Sequence, residues 1–551
     1  ISNAAQRFNP VYSEEGIVAT QNELASKIGV SILKKGGNAV DAAVAVGYAL
    51  AVTLPEAGNL GGGGFMIVWL AKEKKSVVIN YREKAPLSAT KDLFLDSAGN
   101  VIPHKSLRTY AATGVPGTVY GLNLALEKYG TMSLQEVMRP AIDLAKNGFI
   151  VSHALSSSLE RKKELLIPHA TSEKIFFRNK RVLQPGDRLI QKDLGETLKR
   201  IAKNGTKEFY LGQTAGKIVS DMQKNEGLIT LEDLKKYTAE EQSALETLYH
   251  GKRILTVGPP SSGGATLIEM LNILENFDLT QIPFQSAAYI HLLTEVANTA
   301  YFDRNNKLGD PNFVENSLSE MLDKKIVLQK LQTISSNKHR PAKEIDNSFE
   351  EKKQNEKSET THFSIMDKWG NTVANTYTLN GAYGNGSVVS GAGFFLNNEM
   401  DDFTSKPGTP NLFGLIQGEK NSIAPGKRPL SSMTPTIILD ENNEPLFAIG
   451  SQGGSRIITQ VLQFIIAVLD YHNNIATAVS LPKFHSQLWP DVLFYENGVS
   501  PDTLDILREK GHVLRESVPF GSLQVAQKNK TNFFGASDPR FEGGGAFGII
   551  H

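Results

Sequence analysis

Residues 337–359, NKHRPAKEIDNSFEEKKQNEKSE, are dense in charge, and the next residue opens a run that alternates like a core strand. That junction constrains the fold more than any other stretch. Besides its proline, the charged run holds only Ala342, Ile345 and Phe349 as apolar groups. So little burial does not offset the entropy of ordering it, and it reads as a surface linker. From Thr360 onward, Thr361, Phe363 and Ile365 face one side of a strand, while Thr360, His362 and Ser364 face the other. A second alternating run, Thr372 to Asn380, follows the turn DKWGN at 367–371, a common length for a hairpin loop. Symmetry about Trp369 sets Thr360 opposite Thr378, His362 opposite Thr376 and Ser364 opposite Ala374. Directly paired side chains sit with Cβ atoms roughly 5 Å apart.

Two hydroxyls facing each other at the end of a linker have an ordinary explanation, sheet pairing, and a chemical one. A threonine hydroxyl is a weak nucleophile and needs a base beside it. Cutting the peptide bond between Glu359 and Thr360 would expose an α-amino group there. Its pKa, about 7.7–8.0, suits proton transfer near neutral pH. Thr378 would then hold the Thr360 hydroxyl in its reactive rotamer. The same hydroxyl can first attack the Glu359 carbonyl and form an ester that water opens, so one nucleophile would serve maturation and turnover. A flexible linker before the cut makes it structurally harmless.

The remaining chain reads as intermixed strands and helices without an internal repeat. GIVAT (16–20) reads as a strand, ELASKIGVSILKKGG (23–37) as a helix ending on paired glycines, and DAAVAVGYALAV from Asp41 as a second helix. Two apolar runs, 58–71 and 76–83, have strand length, and residues 118–245 are mostly helical. Glycines 61–64 permit close backbone approach but lack the spacing of a phosphate-binding loop. PPSSGG (259–264) precedes a further helix at 265–277. With 58 basic and 58 acidic residues the formal net charge is zero, which gives no global field for nucleic acid or an anionic membrane. Cysteine is absent, so disulfides, thiolate metal sites and a cysteine nucleophile are excluded. The longest apolar stretch, 39–54, carries Asp41 and is too short to span a bilayer comfortably; it reads as a buried helix. The chain opens on Ile1 rather than Met, and removal of an upstream segment is expected.

The C-terminal third carries further candidates. Glu399 and Asp402, in LNNEMDDF, suit an ammonium group or merely a solvated acidic turn. Ser431 and Ser432, in KRPLSSM, are adjacent hydroxyls able to donate to a carboxylate. Gly453 and Gly454 lie between an apolar strand and a long helix; backbone N–H groups there suit an oxyanion, a phosphate or a simple turn. The ordered series TTH, TLN, LNNEMDDF, KRPLSSM and GSQGGSR closely resembles the γ-glutamyltranspeptidase family of N-terminal-nucleophile hydrolases. The likeness extends over nearly the whole chain through GGNAVDAAVA (36–45), GNLGGGGF (58–65), REKAP (82–86), GVPGTV (114–119) and PPSSGG.

The resemblance implies an α+β, four-layer αββα sandwich woven from a large subunit, 1–359, and a small subunit, 360–551, made by self-cleavage between Glu359 and Thr360. It implies Thr360 as nucleophile, Thr378 as its partner and Gly453 with Gly454 as the oxyanion hole. Arg82, Ser431 and Ser432 match groups that hold the substrate α-carboxylate; Asn380, Glu399 and Asp402 match those around its α-amine. Glutathione and other γ-glutamyl compounds are the implied donors, with water, amino acids or dipeptides as acceptors. No metal or organic cofactor is implied, and the place of action is periplasmic or secreted. Two departures stand out. The segment 407–415 resembles a loop that covers the site in bacterial members, usually with tyrosine where this chain has Phe413. Loss of that hydroxyl predicts a looser lid and a partition shifted towards hydrolysis. Gln452 replaces the proline common before the paired glycines, leaving the rigidity of that turn open. The rival readings are a cephalosporin acylase or poly-γ-glutamate hydrolase of the same superfamily, and an uncleaved binding protein.

Overall fold

The computed structural model describes residues 9–348 and 360–551. Two seven-stranded sheets lie face to face. One runs in the order Gly545–Gly548, Gly16–Thr20, Thr360–Asp367, Thr372–Thr378, Gly63–Leu70, Lys75–Asn80 and Glu240–Gln242. The other runs Val11–Ser13, Asn532–Ser537, Gln524–Asn529, Pro445–Gly450, Thr436–Leu439, Lys252–Thr256 and Leu245–Tyr249. Helices cover both outer surfaces, completing the four expected layers.

Alternation in the central hairpin creates these layers. Phe363, Ile365, Val373 and Tyr377 point outward into a core shared with the helices Glu23–Lys34 and Ala39–Thr53. Met366 and Ala374 point inward, with Ile17, Phe65 and Ile67, against Ile437, Ala448, Ile449 and Val525 of the facing sheet. The predicted register holds: Thr360 pairs with Thr378, His362 with Thr376 and Ser364 with Ala374. Asp367 ties the turn, accepting from the Trp369 and Asn371 N–H groups at 2.9 Å each. Its other oxygen accepts from the Ala39 N–H at 2.9 Å, joining the hairpin to the start of the buried helix.

That helix starts two residues before Asp41, because Asn38 and Asp41 form a reciprocal N-terminal cap. Asp41 is tolerated in an entirely buried helix because it also accepts from the Thr131 hydroxyl and N–H (2.6 and 2.8 Å) and the Met132 N–H (3.0 Å). No helix of the described residues is long and apolar enough to cross a membrane.

The linker expected over 337–359 departs from the structure in its first part. His339, Ala342 and Asp346 are buried, and Ala342–Ile345 forms a short helix. Ala342 enters the core and Ile345 packs against it, and polar groups dock the segment further. His339 bridges the carboxylates of Glu295 (2.6 Å) and Asp491 (2.9 Å), and the Ala342 N–H bonds to Asp491 at 2.9 Å. Counting apolar residues therefore missed the polar ties that add to the packing of Ala342 and Ile345. Residues 349–359, with Phe349 and Glu359, lie outside the described residues.

Candidate active site

At the open end of the hairpin, the Thr360 and Thr378 hydroxyl oxygens are 3.2 Å apart. The Asn380 N–H donates to Thr378 Oγ1 at 2.9 Å, so one lone pair of Thr378 is taken and its own hydrogen can point at Thr360. Glycines bring the chain this close. A side chain on Gly62 would strike the Thr378 carbonyl, and one on Gly64 the Thr376 carbonyl. His362 is close in sequence but not in chemistry. Its ring is buried between Thr376 Oγ1 (2.8 Å) and Ser364 Oγ (2.9 Å), and burial lowers its pKa to about 3.

Thr360 and Thr378 open onto a cavity also lined by Arg82, Asn380, Glu399, Asp402, Phe413, Ser431, Ser432 and Gly454. Gly453 flanks that lining next to Gly454, and both glycines have positive φ (+123° and +56°). The helix Arg456–Leu469 starts directly after this turn, with Ser455 as its N-cap. Gln452, in the proline's place, is held by its partners: Gln21 Nε2 donates to its side-chain oxygen at 2.6 Å and Gln460 Nε2 to its carbonyl at 3.0 Å. The turn is thus braced by amide side chains instead of a ring.

Charge is unevenly distributed. Arg82 is fully buried and bonds Glu399 through Nη1, Asp402 through Nη2 and the Pro429 carbonyl through Nε (3.2 Å); Glu83 lies 3.6 Å from Nη1. Burial opposes the Arg82 charge, but these carboxylates outweigh it and raise its pKa. Burial also raises Glu399 well above the usual carboxylate range, against the pull of Arg82, and raises Asp402 likewise. Glu399 Oε2 and Asn380 Oδ1 are buried acceptors without a protein donor.

Ser431 and Ser432, in the same lining, offer hydroxyls. Ser431 Oγ accepts from the Met433 N–H at 3.1 Å, and Ser432 Oγ accepts from Arg304 Nη2 at 3.0 Å. The PPSSGG segment holds this part of the lining in place: Ser262 donates its N–H (2.8 Å) and hydroxyl (2.6 Å) to the Ser431 carbonyl. Arg304, Leu415, Leu430, Met433 and Ile457 complete the lining. None was singled out in the sequence, where Arg304 looks like an ordinary basic residue in the last turn of Ala287–Lys307.

Phe413 covers the site with its ring against Gly454, where a Cβ would strike it. Its loop is tied through Leu412 N–H to Asp401 (2.8 Å), Asn411 to Asp402 (3.2 Å) and Gln487 to the Phe413 carbonyl (3.1 Å). The loop backbone is therefore well anchored without a tyrosine hydroxyl, and Asn380 Oδ1 in the same cavity has no protein donor.

The sequence pattern of the family described as gamma-glutamyltranspeptidase matches residues 25–548. Among curated relatives, the glutathione hydrolase proenzyme of Escherichia coli (strain K12) is 47% identical, covering 97% of this chain and 92% of the relative. That of Bacillus subtilis (strain 168) is 38% identical, covering 97% and 92%. In solved structures, a cephalosporin acylase from Bacillus halodurans superposes with TM-score 0.87 at 24% identity, covering 98% and 97%, a likeness of fold. The Helicobacter pylori γ-glutamyltranspeptidase gives TM-score 0.58 at 43% identity, covering 59% of this chain and 93% of that one. With the family pattern spanning nearly the full length and relatives this similar, the chain belongs to the gamma-glutamyltranspeptidase family.

Proposed function

We infer that this protein is a self-maturing γ-glutamyltransferase and glutathione hydrolase in which Thr360 is the nucleophile. The observation that carries the residue assignment is the polarity of the cavity. Partnerless acceptors, Glu399 Oε2 and Asn380 Oδ1, line the same cavity as the hydroxyls of Ser431 and Ser432. A γ-glutamyl group carries an ammonium and a carboxylate on one carbon, and such a cavity suits that pair. An ammonium beside Glu399 and Asp402 favours their charged forms over the neutral ones that burial promotes. Clamping both charges presents the distant amide to Thr360.

In the mechanism, the Thr360 α-amine, freed by cleavage after Glu359, takes the hydroxyl proton as Oγ1 attacks the γ-carbonyl. Thr378 donates to Thr360 Oγ1 and fixes its rotamer. The Gly453 and Gly454 N–H groups receive the developing oxyanion. The amine proton passes to the leaving nitrogen, giving the γ-glutamyl ester of Thr360. Water or the amine of an amino acid or dipeptide then attacks the ester, releasing glutamate or a new γ-glutamyl amide. The large and small pieces, 1–359 and 360–551, act as one heterodimer, in the periplasm or outside the cell, a location that the family resemblance supports.

The test pairs N-terminal analysis with turnover. The smaller fragment is expected to begin at Thr360, and Thr360→Ala is expected to remain one band and release no glutamate from glutathione. An intact single chain with full glutathione hydrolysis would overturn the reading.

A further inference from the structure

The cavity holds two buried guanidinium groups in opposite settings. Arg82 has three carboxylates within 4 Å. Arg304, equally buried, donates only to neutral acceptors: Ser262 Oγ (3.1 Å), Asn305 Oδ1 (3.0 Å), Gln417 Oε1 (2.8 Å) and Ser432 Oγ (3.0 Å). Among the described residues it forms no ion pair, and Asp402 acts on it only at longer range. Burial lowers its pKa to about 10, so it remains charged at neutral pH. An uncompensated buried cation is costly, and a site that retains one gains when an anion arrives.

Its contact with Ser432 has a direction. A guanidinium only donates, so Ser432 Oγ must accept, and the serine hydrogen is left for another acceptor. Bonding to a cation also makes that hydroxyl a stronger donor. The same fork reaches the neighbouring serine, since Ser262 accepts from Arg304 and passes its own hydrogen to the Ser431 carbonyl.

We propose that Arg304 is a positioning residue for the γ-glutamyl donor: it commits the Ser432 hydroxyl to donate to the α-carboxylate and supplies the uncompensated positive charge that selects donors carrying one. This rests on the γ-glutamyl reading above and deepens it. Arg82, matched by the resemblance to the same α-carboxylate, has its charge offset by Glu399, Asp402 and Glu83, whereas Arg304 stands behind Ser432 with no ion pair of its own among the described residues.

The experiment compares two anilide donors on matured enzyme, one with a free α-carboxylate and one with an α-carboxamide, both keeping the α-amine. Arg304→Gln removes the charge. Gln417→Glu keeps the arginine but sets a carboxylate 2.8 Å from Nη1, where the amide oxygen now lies. A general loss of packing lowers both donors alike, so the readout is the ratio of their kcat/KM values. The assignment predicts that Arg304→Gln lowers this ratio by about 10- to 100-fold, mostly through KM for the carboxylate donor. Gln417→Glu is expected to lower it in the same direction, and Arg304→Lys to restore part of it. Should Arg304→Gln fail to mature, Gln417→Glu decides alone. A ratio unchanged from the parent's in the variants that mature overturns the role of Arg304 while leaving the proposed function in place. A matured parent that does not cleave the γ-glutamyl anilide overturns the proposed function instead.

Discussion

The hydrogen bond from Asn380 N–H occupies one lone pair of Thr378 Oγ1 and is compatible with Thr378 donating to Thr360. Replacing Thr378 by Val keeps the shape of the strand end but removes the donor to Thr360. The expected result is a fall in kcat of about 10- to 100-fold with a smaller change in KM, because orientation rather than binding is lost; steady-state kinetics on matured enzyme checks it. His362 makes no comparable contribution, being held neutral between two hydroxyls. At Phe413 the change runs the other way. Phe413→Tyr adds a hydroxyl to the cavity that also holds Asn380 Oδ1, an acceptor without a protein donor. Transfer to a dipeptide acceptor is expected to rise relative to hydrolysis, and an unchanged ratio would show that the ring alone governs the partition.

At the scale of elements, the segment 337–346 shows how charge can reinforce the docking of a stretch with few apolar residues. Burial works against a charged His339, but the carboxylates of Asp491 and Glu295 outweigh it and raise its pKa to about 9. Neighbouring His512 is driven down to about 3, first by burial and then by the His339 charge. Because the His339 value stands above the ordinary 6.5, its contribution to docking is complete below pH 6.5 and is lost as pH rises through 9. Hydrogen exchange of residues 338–346, corrected for the intrinsic effect of pH, is expected to accelerate between pH 6.5 and 9.5. His339→Asn should exchange fast at both ends of that range; equal protection in variant and parent would refute the latch.

At the scale of the molecule, the central hairpin lies between Gly16–Thr20 and Gly63–Leu70, and Lys252–Thr256 pairs with Thr436–Leu439. Chain from before residue 349 and after residue 359 therefore contributes hydrogen-bonded strands to both sheets. A cut before Thr360 would leave neither piece a closed sheet; each would expose strand edges and apolar faces. The matured protein is expected to run as two bands on a denaturing gel, elute as one species from a sizing column and melt in one transition. Separation of the pieces without denaturant would count against this interweaving.

Local signals made much of this legible. Alternation and the DKWGN turn were enough to pair Thr360 with Thr378, since register follows from side-chain facing and loop length. The ordered motifs named Arg82, Asn380, Glu399, Asp402, Phe413, Ser431, Ser432 and Gly454, which line one cavity, and Gly453 beside it. Other features depend on partners far along the chain. His339 reads as linker until Glu295 and Asp491 flank it, and Arg304 reads as a helix-end cation until its lack of a counter-charge is seen. Sequence by itself determined which strands alternate, where they turn and which motifs would meet. Only the tertiary structure decided which buried charges are balanced, because that balance is a sum over groups brought together by folding and has no spacing to reveal it.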